Sequence, residues 1–112
     1  MTRISVIGAG AWGTALAQCY ATAGHEVTLW CREPELAEQI TECGENKKYL
    51  AGVKLHNAID VKTDLSEIVT ADIILNVTPA QYLRESLKQI APLLRDNEII
   101  VICAKGIEIS SH

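Results

Sequence analysis

The sequence contains no apolar run long enough to cross a membrane. Its longest runs, such as Ile99–Ala104, have the length of a strand, whereas a spanning helix needs roughly 20 residues. The N-terminus shows no basic segment followed by an apolar core and a cleavage site, so we expect neither a signal peptide nor a membrane partner. Positive charge is also scarce: the formal net charge is −4, which argues against nucleic acid as a partner.

Cysteine and histidine do not occur in the spacings that mark a metal site or a disulfide framework. No two of the four cysteines have C-x-x-C spacing, and the three histidines are scattered along the chain. The cysteines lie among apolar or helical residues, so we expect reduced, mostly buried thiols in a cytoplasmic protein. These residues are Cys19, Cys31, Cys43, Cys103, His25, His56 and His112.

What the sequence does contain suits one packed domain over residues 1–112. Hydrophobic residues make up 48% of the chain and charged residues 21%, as in an ordinary globular domain of this size. Four short apolar or β-branched segments predict strands, and a weaker fifth is predicted at Val61–Thr63. The four are Arg3–Ile7, Glu26–Cys31, Asp72–Val77 and Glu98–Ala104.

Helical patterns separate these segments. One follows the first strand and ends before Gly24, a second runs from Pro34 to about Cys43, and a short third covers Asp64–Val69. Pro79 opens a fourth, whose end Pro92 should disturb. This β-α-β-α alternation predicts an α/β fold with a mainly parallel sheet and helices on both faces.

Apolar positions predict which sides of these elements are buried. In the first helix they are Leu16, Cys19, Tyr20 and Ala23, and in the fourth they are Leu83, Leu87, Ile90 and Leu94. The segments Ile73–Val77 and Ile99–Cys103 are almost wholly apolar, so we expect both to be covered on both faces. The polar stretch Gly44–Asn57 is long for a loop, and we expect it to carry function or to pack on a region that this chain lacks.

A glycine turn joins the first strand to the first helix. It reads Gly8-Ala9-Gly10-Ala11-Trp12-Gly13, the G-x-G-x-x-G pattern in the strand–turn–helix context of a Rossmann-type, doubly wound nucleotide-binding fold. Gly8 permits the tight turn, Gly10 lets the backbone approach a pyrophosphate, and Gly13 lets the helix pack closely on the sheet. The helix N-terminus then favours the negative charge. Thr14 and Ala15 follow where a Walker phosphate loop would place lysine, so that motif is excluded.

The end of the second strand bears on the choice between NAD and NADP. An NAD-specific site usually places a carboxylate there for the ribose hydroxyls, whereas this chain has Cys31 and then Arg32. A guanidinium binds a 2′-phosphate as a fork, so we expect NADP(H) or dual use; a solvated surface arginine is the alternative. Glu33 lies 20 residues after Gly13, and we interpret it as a helix cap because Pro34 follows it.

Four stretches make the pattern more specific. They are Gly8–Ala17 (G-A-G-A-W-G-T-A-L-A), Asn46–Leu55 (N-K-K-Y-L-A-G-V-K-L), Val77–Arg84 (V-T-P-A-Q-Y-L-R) and Ala104–Glu108 (A-K-G-I-E). In this order the whole chain resembles the N-terminal domain of bacterial NAD(P)-dependent glycerol-3-phosphate dehydrogenases. The resemblance implies reversible hydride transfer between sn-glycerol 3-phosphate and dihydroxyacetone phosphate, a supply for phospholipid synthesis. Ala51 and His56 stand where the family usually has proline.

The resemblance also implies roles for individual residues. Ala11 and Trp12 would contact the phosphate region of the cofactor, and Arg32 the adenosine ribose end. Lys105 would touch the nicotinamide side and the substrate. From the residues alone, Lys105 follows a buried strand, where a lysine can bind phosphate or polarise a carbonyl, or simply leave the sheet for water. Thr78-Pro79 ends a strand at the same edge and either lines the pocket or only starts the helix.

The family continues beyond the point that corresponds to His112. There the resemblance implies a helical substrate domain that carries the lysine acting as proton acceptor. We therefore expect no general acid or base within this chain, weak cofactor binding at best and no turnover. A homodimer of a longer protein is a state that the resemblance allows.

Other functions stay open at this point. The chain could be the nucleotide-binding part of a sibling dehydrogenase acting on a hydroxy acid, a pantoate or an acyl thioester. It could also be a stand-alone module that senses the nucleotide redox ratio, although a sensor has no need of Lys105. A purely structural protein is the weakest alternative, because it would not need three glycines at this spacing.

Overall fold

A five-stranded parallel sheet forms the centre of the computed structural model, which describes residues 2–68, 71–78, 80–93 and 99–102. Within these residues, strands and helices alternate along the chain. The strands are β1 (Arg3–Ile7), β2 (Glu26–Trp30), β3 (Ile59–Lys62), β4 (Ile73–Asn76) and β5 (Ile99–Ile102). The helices are α1 (Ala11–Thr22), α2 (Pro34–Cys43) and α3 (Ala80–Ile90), with short 3₁₀ helices at Leu65–Glu67 and Ala91–Leu93.

The strand order β3-β2-β1-β4-β5 puts the first strand in the middle of the sheet. After β1 the chain builds outward through β2 and β3, and it then returns to build β4 and β5 on the other side. The carboxyl ends are level, because Ile7 pairs with both Trp30 and Asn76. Ligands of open α/β sheets bind at such a reversal point, beyond the carboxyl ends of the strands.

Helices pack on both faces, as predicted, and each face has its own core. On one face α1 and α2 bury Ala17, Ala21, Leu36 and Ile40 against the sheet, and on the other Ile90 of α3 packs in a second cluster. The prediction of double cover is wrong for β5. Ile100 packs in the second cluster, but Ile99 and Val101 point to the other face and are exposed.

The side of α1 that faces the sheet differs from the one predicted. The buried residues are Gly13, Thr14, Ala17 and Ala21, whereas Leu16 and Tyr20 are half-buried and Cys19 and Ala23 are exposed. The small residues face the sheet because α1 starts directly against β1, where larger side chains would hold the two backbones apart. Because this side of α1 faces the sheet, Cys19 lies on an exposed side of the helix.

The ends of the other helices follow local sequence signals. Pro34 starts α2, and Gly44, in the left-handed region at φ 68°, ends it by donating its N–H to the Ile40 carbonyl at 2.8 Å. Asp64 caps the 3₁₀ helix by accepting from the Ser66 N–H at 3.0 Å, and α3 changes to a 3₁₀ turn before Pro92. Pro79, Leu94 and the Leu83 side chain lie outside what the structure describes.

Burial of the thiols also departs from expectation. Cys31 is buried, but Cys43 is exposed at the end of α2, as Cys19 is on α1. Cys103 lies outside the described residues. None of the helices within the described residues has the length and apolar character needed to span a bilayer.

Candidate functional site

A cleft of about 420 Å³ opens at the carboxyl ends of β1, β2 and β4. The glycine turn and the start of α1 form one part of its wall, the segment after β2 forms another, and α3 closes the opposite side. The polar loop before β3 contributes one aromatic ring. The lining residues that matter for its chemistry are Gly10, Trp12, Arg32, Glu33, Tyr49, Thr78, Tyr82 and Ser86.

Two glycines of the turn allow backbone contacts that no other residue would permit. Gly8 has φ 116°, and a Cβ there would lie 3.2 Å from the Val77 carbonyl. A Cβ at Gly13 would overlap the carbonyl oxygen of Gly8. The geometry agrees with the roles predicted for both. Gly8 makes the turn beside β4, and Gly13 lets the start of α1 lie directly against that turn.

Gly10 faces open space. Apart from its chain neighbours, no atom of the described residues would lie within 4 Å of a Cβ at this position, and the backbone is extended at φ −74° and ψ −172°. The fold therefore does not require glycine here, and the missing side chain leaves room for a ligand in the cleft. Among the described residues no side chain caps α1, and the first amides of the helix, including those of Ala11 and Trp12, lack an intrahelical acceptor. Such a helix start suits an anion.

The segment after β2 places a cation at the mouth of the cleft. The Arg32 guanidinium carbon lies 4.0 Å from the ring centroid of Tyr82 on α3, a cation–π contact that joins the two walls. The preceding Cys31 is buried and donates its thiol to the Glu33 carbonyl at 3.2 Å. Burial raises the pKa of the Cys31 thiol, so this group stays neutral.

Glu33 combines one predicted feature with one unpredicted contact. Its backbone is extended and occupies the cap position of α2, as expected before proline, but its side chain makes no capping hydrogen bond. The carboxylate instead accepts from Lys48 Nζ at 3.0 Å. The pKa of Lys48 is raised, first by this hydrogen bond and then by one with Tyr49. The prediction that Glu33 is the cap of α2 is therefore confirmed, although its side chain pairs with Lys48 and not with the helix.

A buried amide ties the loop before β3 to the glycine turn. Asn46 is fully buried; its Nδ2 donates to the Ala9 carbonyl at 2.8 Å and to Thr14 Oγ1 at 2.9 Å. Its Oδ1 accepts from the Tyr49 N–H at 3.1 Å. These bonds fix the loop beside the cleft, and they give Asn46 the role that the sequence left open.

A second buried polar group lies where β4 meets the cleft. Asn76 Nδ2 donates to Ser86 Oγ at 3.0 Å, and Thr78 donates both its N–H and its hydroxyl to Asn76 Oδ1. Thr78 and Ser86 line the cleft. This supports the interpretation of Thr78 as a cleft residue, since its hydroxyl is held in a network that joins β4 to α3.

The structure brings most of the predicted site residues to one cleft. Gly8, Gly10, Trp12, Gly13 and Arg32 line it, and Ala11 begins the adjoining helix. Lys105 lies outside the described residues. Sequence reasoning assigned no role to Lys48, Tyr82 or Ser86. Lys48 and Tyr82 lie within stretches that carry the family resemblance, and this was the only sequence signal for these two residues.

Comparisons with known proteins agree with this geometry. A family described as NAD-dependent glycerol-3-phosphate dehydrogenase N-terminus matches residues 3–112. The chain is similar to glycerol-3-phosphate dehydrogenase [NAD(P)+] of Parvibaculum lavamentivorans, with 50% identity over 98% of the chain and 33% of the relative. The corresponding protein of Maricaulis maris is 52% identical over 96% of the chain and 32% of its own length.

A solved structure shares the fold as well. The crystal structure of glycerol-3-phosphate dehydrogenase from Coxiella burnetii superposes with a TM-score of 0.86 at 30% identity, over 94% of this chain and 34% of that one. The chain thus spans about a third of the length of the relatives that it matches.

Proposed function

Because the chain belongs to the glycerol-3-phosphate dehydrogenase family, as its N-terminal part, we propose that it is the cofactor-binding domain of such an enzyme. The proposed reaction is hydride transfer between NAD(P)H and dihydroxyacetone phosphate, giving sn-glycerol 3-phosphate. Relatives named for this activity are about three times as long, so both the substrate and the activity are parts of the proposal.

The observation that carries the proposal is the shape of the glycine turn. Gly13 has no room for a Cβ, whereas Gly10 has open space in front of it although its backbone would accept any residue. A turn without a ligand explains Gly13 but not Gly10. A pyrophosphate lying against Gly10 and the amides of Ala11 and Trp12 accounts for Gly10 as well.

The other residues suit a nicotinamide dinucleotide that lies along the cleft. Arg32, which follows the buried Cys31, would contact the adenosine ribose end, and Trp12, with 54% of its surface exposed, would contact the phosphate region. When bound, the nicotinamide cofactor supplies or accepts the hydride. For Lys105 we propose contact with the nicotinamide side and the substrate, where an ammonium group can stabilise a developing oxyanion.

The partners and location form part of the same proposal. The substrate is a small phosphorylated molecule, and neither nucleic acid nor a membrane is required for its chemistry. We place the protein in the cytoplasm, where free thiols such as those of Cys19 and Cys43 remain reduced.

Titration of the chain with NADPH and NADH tests the proposal. Trp12 and Trp30 line the cleft, so energy transfer from tryptophan to the reduced nicotinamide reports binding. We expect both nucleotides to bind and NADPH to bind more tightly. Arg32→Ala should raise the Kd for NADPH about tenfold, the loss expected for one charge-assisted contact of ~1.5 kcal/mol, and should change that for NADH much less.

Arg84→Ala is the matched control, since Arg84 is exposed on α3 and does not line the cleft. Failure of the chain to bind either nucleotide would refute the proposed function. Equal binding of the two nucleotides would refute only the preference for NADP(H).

A further inference from the structure

An acidic side chain, Glu33, lies after the end of β2, where a charged residue can discriminate between NAD(H) and NADP(H). Glu33 follows Arg32 and lines the cleft beyond the end of β2. A carboxylate in this region accepts hydrogen bonds from the ribose hydroxyls of NAD(H), but it repels the 2′-phosphate of NADP(H). Arg32 and Glu33 therefore favour opposite cofactors, and the charge on Glu33 has to be compensated if NADP(H) is to bind well.

Lys48 supplies that compensation. Its ammonium nitrogen lies 3.0 Å from Glu33 Oε2, and the same nitrogen lies 5.1 Å from the ring centroid of Tyr49, which lines the cleft. About half of each side chain is exposed, 53% for Lys48 and 44% for Glu33. Water and salt thus reach the pair, and its effect on binding should be moderate and should weaken with ionic strength.

The loop that carries Lys48 is held in place from within. Asn46, two residues earlier, is fully buried and bonds both the glycine turn and α1. The Lys48 backbone is therefore fixed relative to the phosphate-binding turn, although the end of its side chain is exposed. Helix α2 also holds this loop, since Gln39 Nε2 donates to the Glu45 carbonyl at 2.7 Å and Gln39 Oε1 accepts from the Lys47 N–H at 3.1 Å.

We propose that Lys48 is a specificity-determining residue that lets the cleft accept NADP(H) by neutralising Glu33. Because Lys48 neutralises Glu33, the carboxylate no longer offsets the charge of Arg32. A 2′-phosphate near Arg32 therefore meets a net positive charge. The inference rests on the proposed function, because it presupposes that a dinucleotide occupies the cleft. Glu85 also lines the cleft, on the opposite wall. Its negative charge is the same in all of the variants, so it does not affect differences in Kd between them.

The test measures the Kd for NADPH and NADH at low ionic strength for the full chain and for Lys48→Gln, Glu33→Gln and the double variant. We expect Lys48→Gln to lower the preference for NADPH over NADH about fivefold, in the upper range for exposed ion pairs. In the Glu33→Gln background the same lysine substitution should have little effect, because no carboxylate remains to be neutralised. Lys48→Arg should retain the preference.

Lys47→Gln removes the same charge one residue away. Lys47 is exposed and takes part in no ion pair within the described part of the chain, so its removal should leave the ratio unchanged. An unchanged ratio in Lys48→Gln would overturn the assignment. So would a lysine effect that persists undiminished without Glu33, since Lys48 would then bind the phosphate itself. If the unmutated chain bound neither nucleotide, the proposed function would fail first, and this inference with it.

Discussion

At the scale of single residues, the glycines of the turn have different physical reasons to be glycine. Gly8 needs its positive φ, Gly13 needs the absence of a Cβ next to the Gly8 carbonyl, and Gly10 needs neither. Only Gly10 is free of any requirement from the fold itself. A substitution at Gly13 should therefore lower the stability of the fold, whereas one at Gly10 should mainly weaken binding, although both glycines lie at the start of α1.

Gly13→Ala should destabilise the fold. The added methyl overlaps a backbone oxygen, which cannot rotate away, so α1 must shift from the sheet at a cost of about 1–3 kcal/mol, as in other overpacked cores. Urea unfolding followed by circular dichroism measures this change.

Gly10→Ala is the matched variant, because its methyl enters open space. Its free energy of unfolding should change by less than about 0.5 kcal/mol or rise slightly, while NADPH binding should weaken more than tenfold. Equal loss of stability in the two variants would contradict this separation.

The same scale shows how far the sequence could predict the site. The glycines and Arg32 were predicted because each follows from its position relative to one strand and one helix. Lys48 and Tyr82 were not, because their partners Glu33 and Arg32 are distant in sequence and no spacing rule links a loop lysine to a residue before α2. Contacts of this kind are set by the tertiary fold.

At the scale of elements, the loop before β3 is tied to the glycine turn and α1. Its polar sequence predicted an irregular structure, and its length predicted a function or packing on a region that the chain lacks. The buried bonds of Asn46 show packing within the chain: they hold the loop against the glycine turn, and Leu50 donates its N–H to the Asn46 carbonyl at 2.8 Å. The loop is therefore part of the wall around the cleft.

Asn46→Ala should loosen this wall. It leaves the Ala9 carbonyl and the Tyr49 N–H without their bonds to the amide, and a buried group without a partner costs about 1–3 kcal/mol. Hydrogen exchange of the Tyr49 and Leu50 amides should accelerate, and NADPH should bind more weakly. Asn57→Ala, at an exposed position of the same loop, should change neither quantity. Unaltered exchange in Asn46→Ala would show that the loop is held by other contacts.

The elements themselves were largely predictable, but the orientation of one helix was not. Strands β1, β2 and β4 and helix α2 have strong local signals, and the structure confirms them within one or two residues. The side of α1 was predicted from its larger apolar residues, yet the sheet contacts Gly13, Ala17 and Ala21. Close packing against β1 selects small side chains, so hydrophobicity alone indicates the wrong side.

At the scale of the whole molecule, the cleft joins segments that are far apart in sequence. Its walls come from the turn after β1, the segment after β2, the loop before β3 and helix α3. A bound dinucleotide would contact several of them at once. Binding to the folded state alone raises the free energy of unfolding by RT ln(1 + [L]/Kd), whichever contacts provide the affinity.

NADPH should therefore raise the melting temperature by an amount that its own Kd sets. At a concentration of 100 times the Kd the gain is about 2.7 kcal/mol, which for a domain of this size corresponds to a rise of about 10 °C. Circular dichroism at 222 nm over a series of NADPH concentrations measures it. Gly10→Ala, folded but with a Kd at least tenfold higher, should gain at most about 1.4 kcal/mol at the same concentration, so its rise should be no more than about half as large. A rise that levels off far below the value set by the Kd would mean that NADPH also binds the unfolded chain, so that binding would not depend wholly on the folded cleft.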